Sequence, residues 1–314
     1  MNLRDKIIFI LESNRGSYIS GQSIAQSCGV SRNAISKCVN SLKDEGYVID
    51  SVHNLGHRLD PSCDILSESG IRAHLDEECA VKVFSSIDST NSEAKRTIDT
   101  FQGDAILASC EQTAGRGRHG RSFYSPNGGG LYFSCVLHPD VSLSDATAIT
   151  SAAAVAVCES IAEITSGSPK IKWVNDLFID GKKVCGILTE AVSDFESGRV
   201  QAVIVGIGIN LTTEIFPEEI RDIAASVGVR VNKNALIASI FKRLKALCAT
   251  LPDKSFMELY RDYSLVLGRD INFERNQVKY KAKAVAINDD GSLEVITENG
   301  EKMLLNSGEI SIKL

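Results

Sequence analysis

Between residues 115 and 121 the chain reads Gly-Arg-Gly-Arg-His-Gly-Arg, and no other stretch restricts the fold as sharply. Three glycines alternate with three arginines and a histidine, so the segment cannot pack as core and has the freedom of a loop. It must hang from structure on either side. Upstream, Ala105–Ser109 reads as an apolar strand, and Gln112 and Thr113 follow it, where ligand-contacting polar groups collect. Guanidinium groups on a glycine loop suit a phosphate-bearing ligand, because they bring bidentate donors and permanent charge. Composition alone leaves nucleic-acid contact or a solvated surface equally open.

The rest of the chain separates into three regions. With 314 residues it is too long for one core of ordinary size. Residues 1–63 read as three helices and a hairpin. The first helix shows Leu3, Ile7, Ile10 and Leu11 at helical spacing. The second covers Gly21–Cys28, with Ile24 and Ala25 inward. The third is capped by Ser31 and carries the stripe Ala34, Ile35, Cys38, Val39 and Leu42. Short strands are expected at 47–49 and 57–59. Pro61 marks a boundary. Residues 64–266 mix strands (81–84, 105–109, 131–137, 200–210) with helices at 144–164 and 234–251. The longer helix has Ile149, Ala153, Ala156, Ile161 and Ile164 on one side. Consecutive strands without intervening helices predict an α+β domain with a largely antiparallel sheet. Residues 267–314 are all-β, with strands at 271–273, 279–287, 293–297 and 301–305 and turns at Asp290-Gly291 and Asn299-Gly300, which predicts a small barrel.

Two helices at a glycine turn followed by a hairpin describe a winged helix-turn-helix. Its third helix would present Ser31, Arg32, Asn33, Ser36, Lys37 and Asn40 to DNA, reaching base edges or phosphates. Residues 1–60 hold seven Lys/Arg (4, 6, 15, 32, 37, 43, 58) against six Asp/Glu (5, 12, 44, 45, 50, 60), so the patch is only weakly basic. DNA contact then calls for a dimer and should depend steeply on salt. A helical domain used only for dimerisation or regulation is the plainer reading. The net charge of -6 excludes a chain coated in nucleic acid.

Two further clusters carry chemistry. Thr90-x-x-Glu93 has the spacing of a capping box, placing Ser89, Thr90 and Asn91 at a helix N-terminus where a small polar group could be held. A simple helix cap is the competing reading. Lys172-Trp-Val-Asn-Asp-Leu-Phe-Ile179 leads through Asp180-Gly181 into Lys182-Lys-Val-Cys-Gly-Ile-Leu188, and Asp-Gly predicts a two-residue hairpin. Pairing Ile179 with Lys182, Phe178 with Lys183 and Asp176 with Cys185 puts Asp176, Phe178, Lys183 and Cys185 on one face. Asp176 and Lys183 become diagonal neighbours roughly 7–8 Å apart, with Lys182 on the solvent side. A surface salt bridge across a hairpin is the alternative. The strand Val205-Gly-Ile-Gly-Ile-Asn-Leu211 carries two glycines, which suggest close approach by a ligand or backbone.

Some classes drop out. The nine cysteines include no C-x-x-C pair, so they read as buried hydrophobes of a reducing cytoplasm. The N-terminus lacks a signal peptide's core, and no stretch is long enough to span a membrane. No Walker loop, G-x-S-x-G elbow or H-E-x-x-H motif is present.

In their order, Asp88-Ser-Thr-Asn91, Glu111-Gln-Thr-Ala-Gly-Arg-Gly-Arg118, Lys172-Trp-x-Asn-Asp176, Lys183-x-x-Gly-Ile-Leu188 and Gly206-x-Gly-Ile-Asn210 resemble the motifs of the biotin–protein ligases, in the class that also represses the biotin-synthesis operon. The resemblance covers the whole chain. It implies a winged helix over 1–63, a catalytic domain over 64–266 and an SH3-like barrel over 267–314. It further implies that Ser89, Thr90, Asn91, Gln112, Gly115 and Arg116 hold biotin, with Gly117 and Arg118 over the adenylate. Lys183, Arg118 and Asp176 would be the catalytic set, Lys183 meeting the carboxylate and α-phosphate and Asp176 placing Mg²⁺ and ATP. Biotin would be the substrate, a biotin carboxyl carrier domain and operator DNA the partners, and a homodimer the form that follows adenylate binding. Three positions depart from the family's pattern. Val174 stands where proline is usual, the wing reads Asn54-Leu-Gly-His-Arg58, and no tryptophan lies near 221–226 against adenine, Trp173 being the chain's single tryptophan. Two other readings stay open: a ligand-sensing regulator without catalysis, and a lipoate-type acyl ligase.

Overall fold

A computed structural model describes residues 1–139, 143–193, 200–251, 253–306 and 308–312. The chain forms two compact units, one of Met1–Val83 with Arg230–Ser239 and one of Phe84–Val229 with Ile240–Leu314.

The first unit begins with the winged helix. Asn2 caps α1 (Leu3–Ser13), Ser20 caps α2 (Gly21–Cys28) and Ser31 caps α3 (Arg32–Asp44), each side chain accepting from a first-turn amide. Gly29, at φ 69°, ends α2 in the left-handed conformation. Ile7, Ile8, Leu11, Ile24, Ile35, Val39 and Leu42 close one apolar core. The hairpin is β1 (Ile49–Val52) paired antiparallel with β2 (Gly56–Leu59). It starts two residues later than the sequence pattern suggests, because the Tyr47 amide bonds Leu42 O and finishes the helix instead. Gly56 has φ 104°, and a Cβ there would lie 2.0 Å from Ile19 O, so the wing accepts only glycine.

A short helix, α4 (Glu68–Arg72), and the first turn of α7 (Lys233–Ala249) complete this unit. Glu12 of α1 is 2% exposed. It takes two hydrogen bonds from Arg15 (3.0 and 2.6 Å), one from Asn232 (2.6 Å), and meets His74 Nε2 at 2.9 Å. Burial alone would raise the Glu12 carboxyl, but the bonds from His74, Arg15 and Asn232 outweigh it and hold the group below its ordinary range.

The second unit is built on an antiparallel sheet. Its strands are β4 (Ala105–Ser109), β5 (Gly130–Leu137), β6 (Lys170–Lys172), β7 (Asp176–Ile179), β8 (Lys182–Ser193) and β9 (Val200–Asn210), ordered β4-β5-β9-β8-β7-β6. At the outer edge Phe84, the end of β3 (Ala80–Phe84), accepts from the Cys110 amide. Ala105, Leu107, Val136, Ala202 and Ile204 pack under Ala94 and Ile98, while alternate residues such as Ile106 and Val203 are buried as well. Burial on both faces explains why these strands read as continuous apolar runs. β6 is too short for its period to show in the sequence.

Helix α6 (Leu143–Ile164) lies against β8, β9 and α8 (Phe256–Asp262). Ala152 through Cys158 are all buried, so the expected one-sided stripe is replaced by a helix covered all round, which its small alanines permit. The barrel consists of β10 (Asp270–Arg275), β11 (Val278–Ile287), β12 (Leu293–Thr297), β13 (Lys302–Leu305) and β14 (Ile310–Ile312), in the order β13-β12-β11-β10-β14. The architecture is thus α+β, with an N-terminal winged helix-turn-helix and a C-terminal SH3-like barrel. The β10–β11 turn at Asn276-Gln277, with φ 51° and 65°, gives little sequence signal. Among the described residues no helix is long and apolar enough to cross a membrane.

Candidate active site

The glycine–arginine segment is a closed loop. The Gly117 amide bonds Arg121 O at 2.7 Å and the Phe123 amide bonds Gly115 O at 2.8 Å. A Cβ on Gly115 would stand 2.4 Å from Phe123 O, so the loop can close only on glycine. Each arginine docks on a different element. Arg116 reaches Glu190 on β8, Arg118 donates to Asn175 Oδ1 at 3.0 Å, and Arg121 pairs with Glu309 beside β14 at 2.5 Å.

Beside the loop, α5 (Thr90–Thr97) begins at Ser89, whose hydroxyl accepts from the Ser92 amide. The cap is therefore Ser89 and not Thr90, and Glu93 pairs with Arg96 instead of closing a capping box. This leaves Thr90 for the site. Its amide donates to Gln112 Oε1 at 2.9 Å, with its hydroxyl 3.2 Å from the same oxygen. Gln112 is fixed from the other side by donating to Ser125 Oγ at 3.0 Å. Asn91 is almost wholly buried, accepting from Ser134 Oγ at 2.6 Å and donating to Leu188 O at 3.2 Å. Asp88 accepts two bonds from Arg96, which bring its carboxyl down to about 2.

The Asp180-Gly181 turn has φ of 49° and 78°, the left-handed pair of a tight hairpin. Ile179 pairs with Lys182 and Phe178 with Lys183 as expected, but Leu177, not Asp176, pairs with Cys185, and Asp176 pairs with Gly186. A bulge between Leu177 and Phe178 inserts one residue on β8 and reverses the faces beyond it. Cys185 is consequently sealed in the core, where burial pushes its thiol far up, and it does not face the cleft. The Asp176 and Lys183 side chains meet across the strands, with Nζ to Oδ1 at 2.7 Å. Lys182 is exposed.

These segments surround one cleft. Ser89, Thr90, Asn91, Gln112, Arg116, Gly117, Arg118, Asp176 and Lys183 all line it, whereas Gly115 lies behind the wall. Its floor is the Gly186–Gly208 pair of β8 and β9, against which the Phe123 ring rests; a Cβ on Gly208 would be 2.4 Å from that ring. A Cβ on Gly206 would be 2.1 Å from Asn91 Oδ1. The strand glycines are thus required by close approach of side chains. Sequence reasoning singled out neither Phe123 nor Glu190, and named Lys172 and Asn175 only as members of the Lys172-Trp-x-Asn-Asp176 motif. Lys172 lines the cleft, is lowered from its ordinary value by burial, and lies 5.4 Å from the Phe178 ring centre. It pairs with Asp176 across the turn at 173–175, within the motif itself.

The cleft lining thus combines the hydroxyls and amides of Ser89, Thr90, Asn91 and Gln112 with the cations Arg116, Arg118, Lys172 and Lys183, the last paired with Asp176. Among the described residues, neither cysteine nor histidine lines it. Such a site can hold a ligand with a neutral polar head and an anionic tail and can neutralise charge that grows at the tail. Among the described residues no three His, Cys, Asp or Glu gather as a metal site. Magnesium commonly needs only one or two carboxylates when substrate phosphates complete its shell, and Asp176 fits that partial role.

On the winged helix, Ser31, Arg32, Asn33, Ser36, Lys37 and Asn40 are all exposed along α3. The Ser31 hydroxyl also serves as the helix cap, and Ser36 Oγ donates to Arg32 O at 3.2 Å. In the wing, Arg58 is held by Asp50 and lies over the Tyr18 ring, 4.8 Å from its centre.

Comparison with known proteins agrees with this arrangement along the chain. A family model described as the biotin/lipoate A/B protein ligase family matches residues 83–210, an HTH domain model matches 4–58, and a biotin protein ligase C terminal domain model matches 266–313. The chain is 33% identical over 319 residues to the bifunctional ligase/repressor BirA of Bacillus subtilis, covering 97% of each. It is 29% identical to the protein of that name from Escherichia coli, covering 77% of this chain and 75% of that one. Among solved structures it resembles a biotin protein ligase from Aquifex aeolicus in complex with biotin and ATP, with TM-score 0.63 and 29% identity over 74% of this chain and 98% of that one.

Proposed function

This chain belongs to the biotin protein ligase family, and from that premise we propose that it activates biotin with ATP, transfers it to a lysine of a biotin carboxyl carrier domain, and represses biotin-synthesis genes through its DNA-binding head. The observation that carries the ligase reading is the meeting of Lys183 and Asp176 in a cleft that Ser89, Thr90 and Gln112 also line.

In this reading Ser89, Thr90 and Gln112 hold the ureido group of biotin, and the carboxylate lies near Lys183. A carboxylate oxygen attacks the α-phosphorus of ATP, the bond to the β-phosphate oxygen breaks, and pyrophosphate leaves. Lys183 and Arg118 offset the negative charge that accumulates on the phosphoryl oxygens. Asp176 would hold magnesium, which when bound supplies further charge neutralisation on the triphosphate. The closed Gly115–Arg121 loop keeps water from the mixed anhydride. The neutral amine of the acceptor lysine then attacks the acyl carbon, AMP departs with the anhydride oxygen, and the amine's proton goes to solvent. Every step needs positioning and charge, and none needs an enzyme nucleophile.

The functional division follows 1–63 for DNA binding, 64–266 for catalysis and 267–314 for the barrel. Arg32, Asn33, Lys37 and Asn40, with Ser31 and Ser36, meet the operator. Biotinyl-5′-AMP promotes a homodimer that multiplies these weak contacts, in the cytoplasm. The test is transfer of biotin to an isolated carrier domain, read by avidin blot, with ATP and Mg²⁺ and with the acceptor lysine replaced by arginine as control. Labelling that requires ATP and the lysine supports the ligase; an unlabelled carrier with folded enzyme refutes it. Sedimentation showing the same monomer with and without biotin and ATP would count against the ligand-driven dimer.

A further inference from the structure

Lys172 and Asp176 both line the cleft, and the turn at 173–175 joins them. Each residue of that turn is tied to a different element. Asn175 is fixed to β8, its Nδ2 donating to Ile187 O at 2.6 Å and its carbonyl accepting from the Ile187 amide at 3.0 Å. The Trp173 indole, 4% exposed, donates from Nε1 to Gly291 O at 2.9 Å, in the turn between β11 and β12 of the barrel. Val174 O accepts from the Tyr260 hydroxyl at 2.9 Å. Tyr260 belongs to α8, is wholly buried, and is not among the described residues that line the cleft.

These ties close on themselves. Arg261, the next residue of α8, donates from Nε to Ile287 O at 2.7 Å and pairs with Asp289, at the start of the same barrel turn. Within that turn the Gly291 amide bonds Asn288 O at 2.9 Å, and the Ser292 amide bonds Asp290 Oδ1 at 2.9 Å. Helix and barrel turn are therefore fixed to each other as well as to residues 173 and 174. The segment they hold has little stiffness of its own. β6 is only three residues long, and a valine at 174 does not fix φ as a proline would. A hydroxyl buried as deeply as that of Tyr260 has no bulk water to turn to, so its bond to Val174 is retained.

We propose that Tyr260 is a positioning residue: through Val174 O it sets the 173–175 turn, and with it the places of Lys172 and Asp176 in the cleft. The proposal rests on the ligase reading for what those two side chains meet, the phosphates of ATP, but not for the turn itself. Loss of the hydroxyl should weaken the use of ATP and spare biotin, whose head group Ser89, Thr90 and Gln112 hold elsewhere in the lining.

The experiment compares Tyr260→Phe, which deletes only the hydroxyl, with Tyr263→Phe, the same deletion three residues on, both in the full chain. Deuterium uptake of the peptide spanning 170–178 is read in ligand-free protein, biotin affinity by calorimetry, and kcat/KM for ATP by biotin-dependent pyrophosphate exchange. In Tyr260→Phe, uptake should rise about fivefold and kcat/KM for ATP fall about tenfold, with biotin affinity within about twofold of the parent. Tyr263→Phe should match the parent in all three. Unchanged uptake or unchanged kcat/KM in folded Tyr260→Phe overturns the proposal, as does an equal loss of biotin affinity, which marks a general loosening. If Tyr260→Phe does not fold, Trp173→Phe removes another tie to the same turn and is judged by the same outcomes. Deuterium uptake needs neither substrate. A parent that exchanges no pyrophosphate would sink the ligase reading, and uptake alone would then decide this one.

Discussion

Two carboxylates, one buried and one half-buried, one in each compact unit, hold their charge by similar means in different surroundings. Glu12 takes bonds from Arg15, Asn232 and His74, all set in packed structure, and is 2% exposed. Glu190 is 16% exposed and shares its oxygens among Asn91 and Lys95 of α5 and Arg116 of a loop. Where every partner is fixed, a buried charge sets stability, since removing it strands the others. Where one partner comes from a loop, the same charge ties that loop to the sheet.

Glu12→Ala should show the sharpest effect, a loss of about 3–5 kcal/mol from the first unit. Hydrogen exchange of α1–α3 amides would read it, while exchange of pyrophosphate per folded molecule stays at the parental level. A stable Glu12→Ala variant would break the comparison. The same carboxyl predicts an acid limit. Its folded value lies below the ordinary 4.5, so its contribution is present above that value and is lost as pH falls through the lower folded one. Glu12→Gln should lack this acid step in head stability.

Lys183→Ala is the mirror image. Adenylation should fall by roughly 10²–10³-fold with the fold intact, since a cation is lost where charge develops. Near-normal turnover would remove Lys183 from its role. Gly206→Ala comes next, because its Cβ would overlap Asn91 Oδ1; biotin affinity should drop by about tenfold, measured by calorimetry, with a smaller change in melting temperature. Arg32→Ala is the mildest, weakening operator binding in a filter or anisotropy assay and lowering the salt slope by about one, with adenylation unchanged.

The head was legible because its information is local. Caps, stripes and turns of α1 to α3 lie within a few residues of one another, and Ser31, Gly29 and Ile35 carry their meaning in place. What the local pattern could not show is that Glu12 is completed by His74 and Asn232, which are 62 and 220 positions away. In the cleft the Asp180-Gly181 turn fixed the pairing nearest to it, and Lys183 and Asp176 do converge. The bulge was hidden, since one extra residue in β8 leaves no mark on an already apolar run, and it moved Cys185 to the opposite face. Glu190 and Phe123 were hidden for a different reason. Neither belongs to a chemical motif by type, and their meaning comes from Arg116 and from the glycines 186 and 208 brought beneath them by the sheet. Residues that react announce themselves by chemistry, whereas residues that position them appear only with the fold.

The most direct test of the central claim is biotin-dependent exchange of labelled pyrophosphate into ATP, with Mg²⁺ present and lipoate as the control acid. Exchange with biotin and none with lipoate is the predicted result. Folded protein that binds biotin yet exchanges with neither acid would contradict it and make the cleft a sensor's pocket.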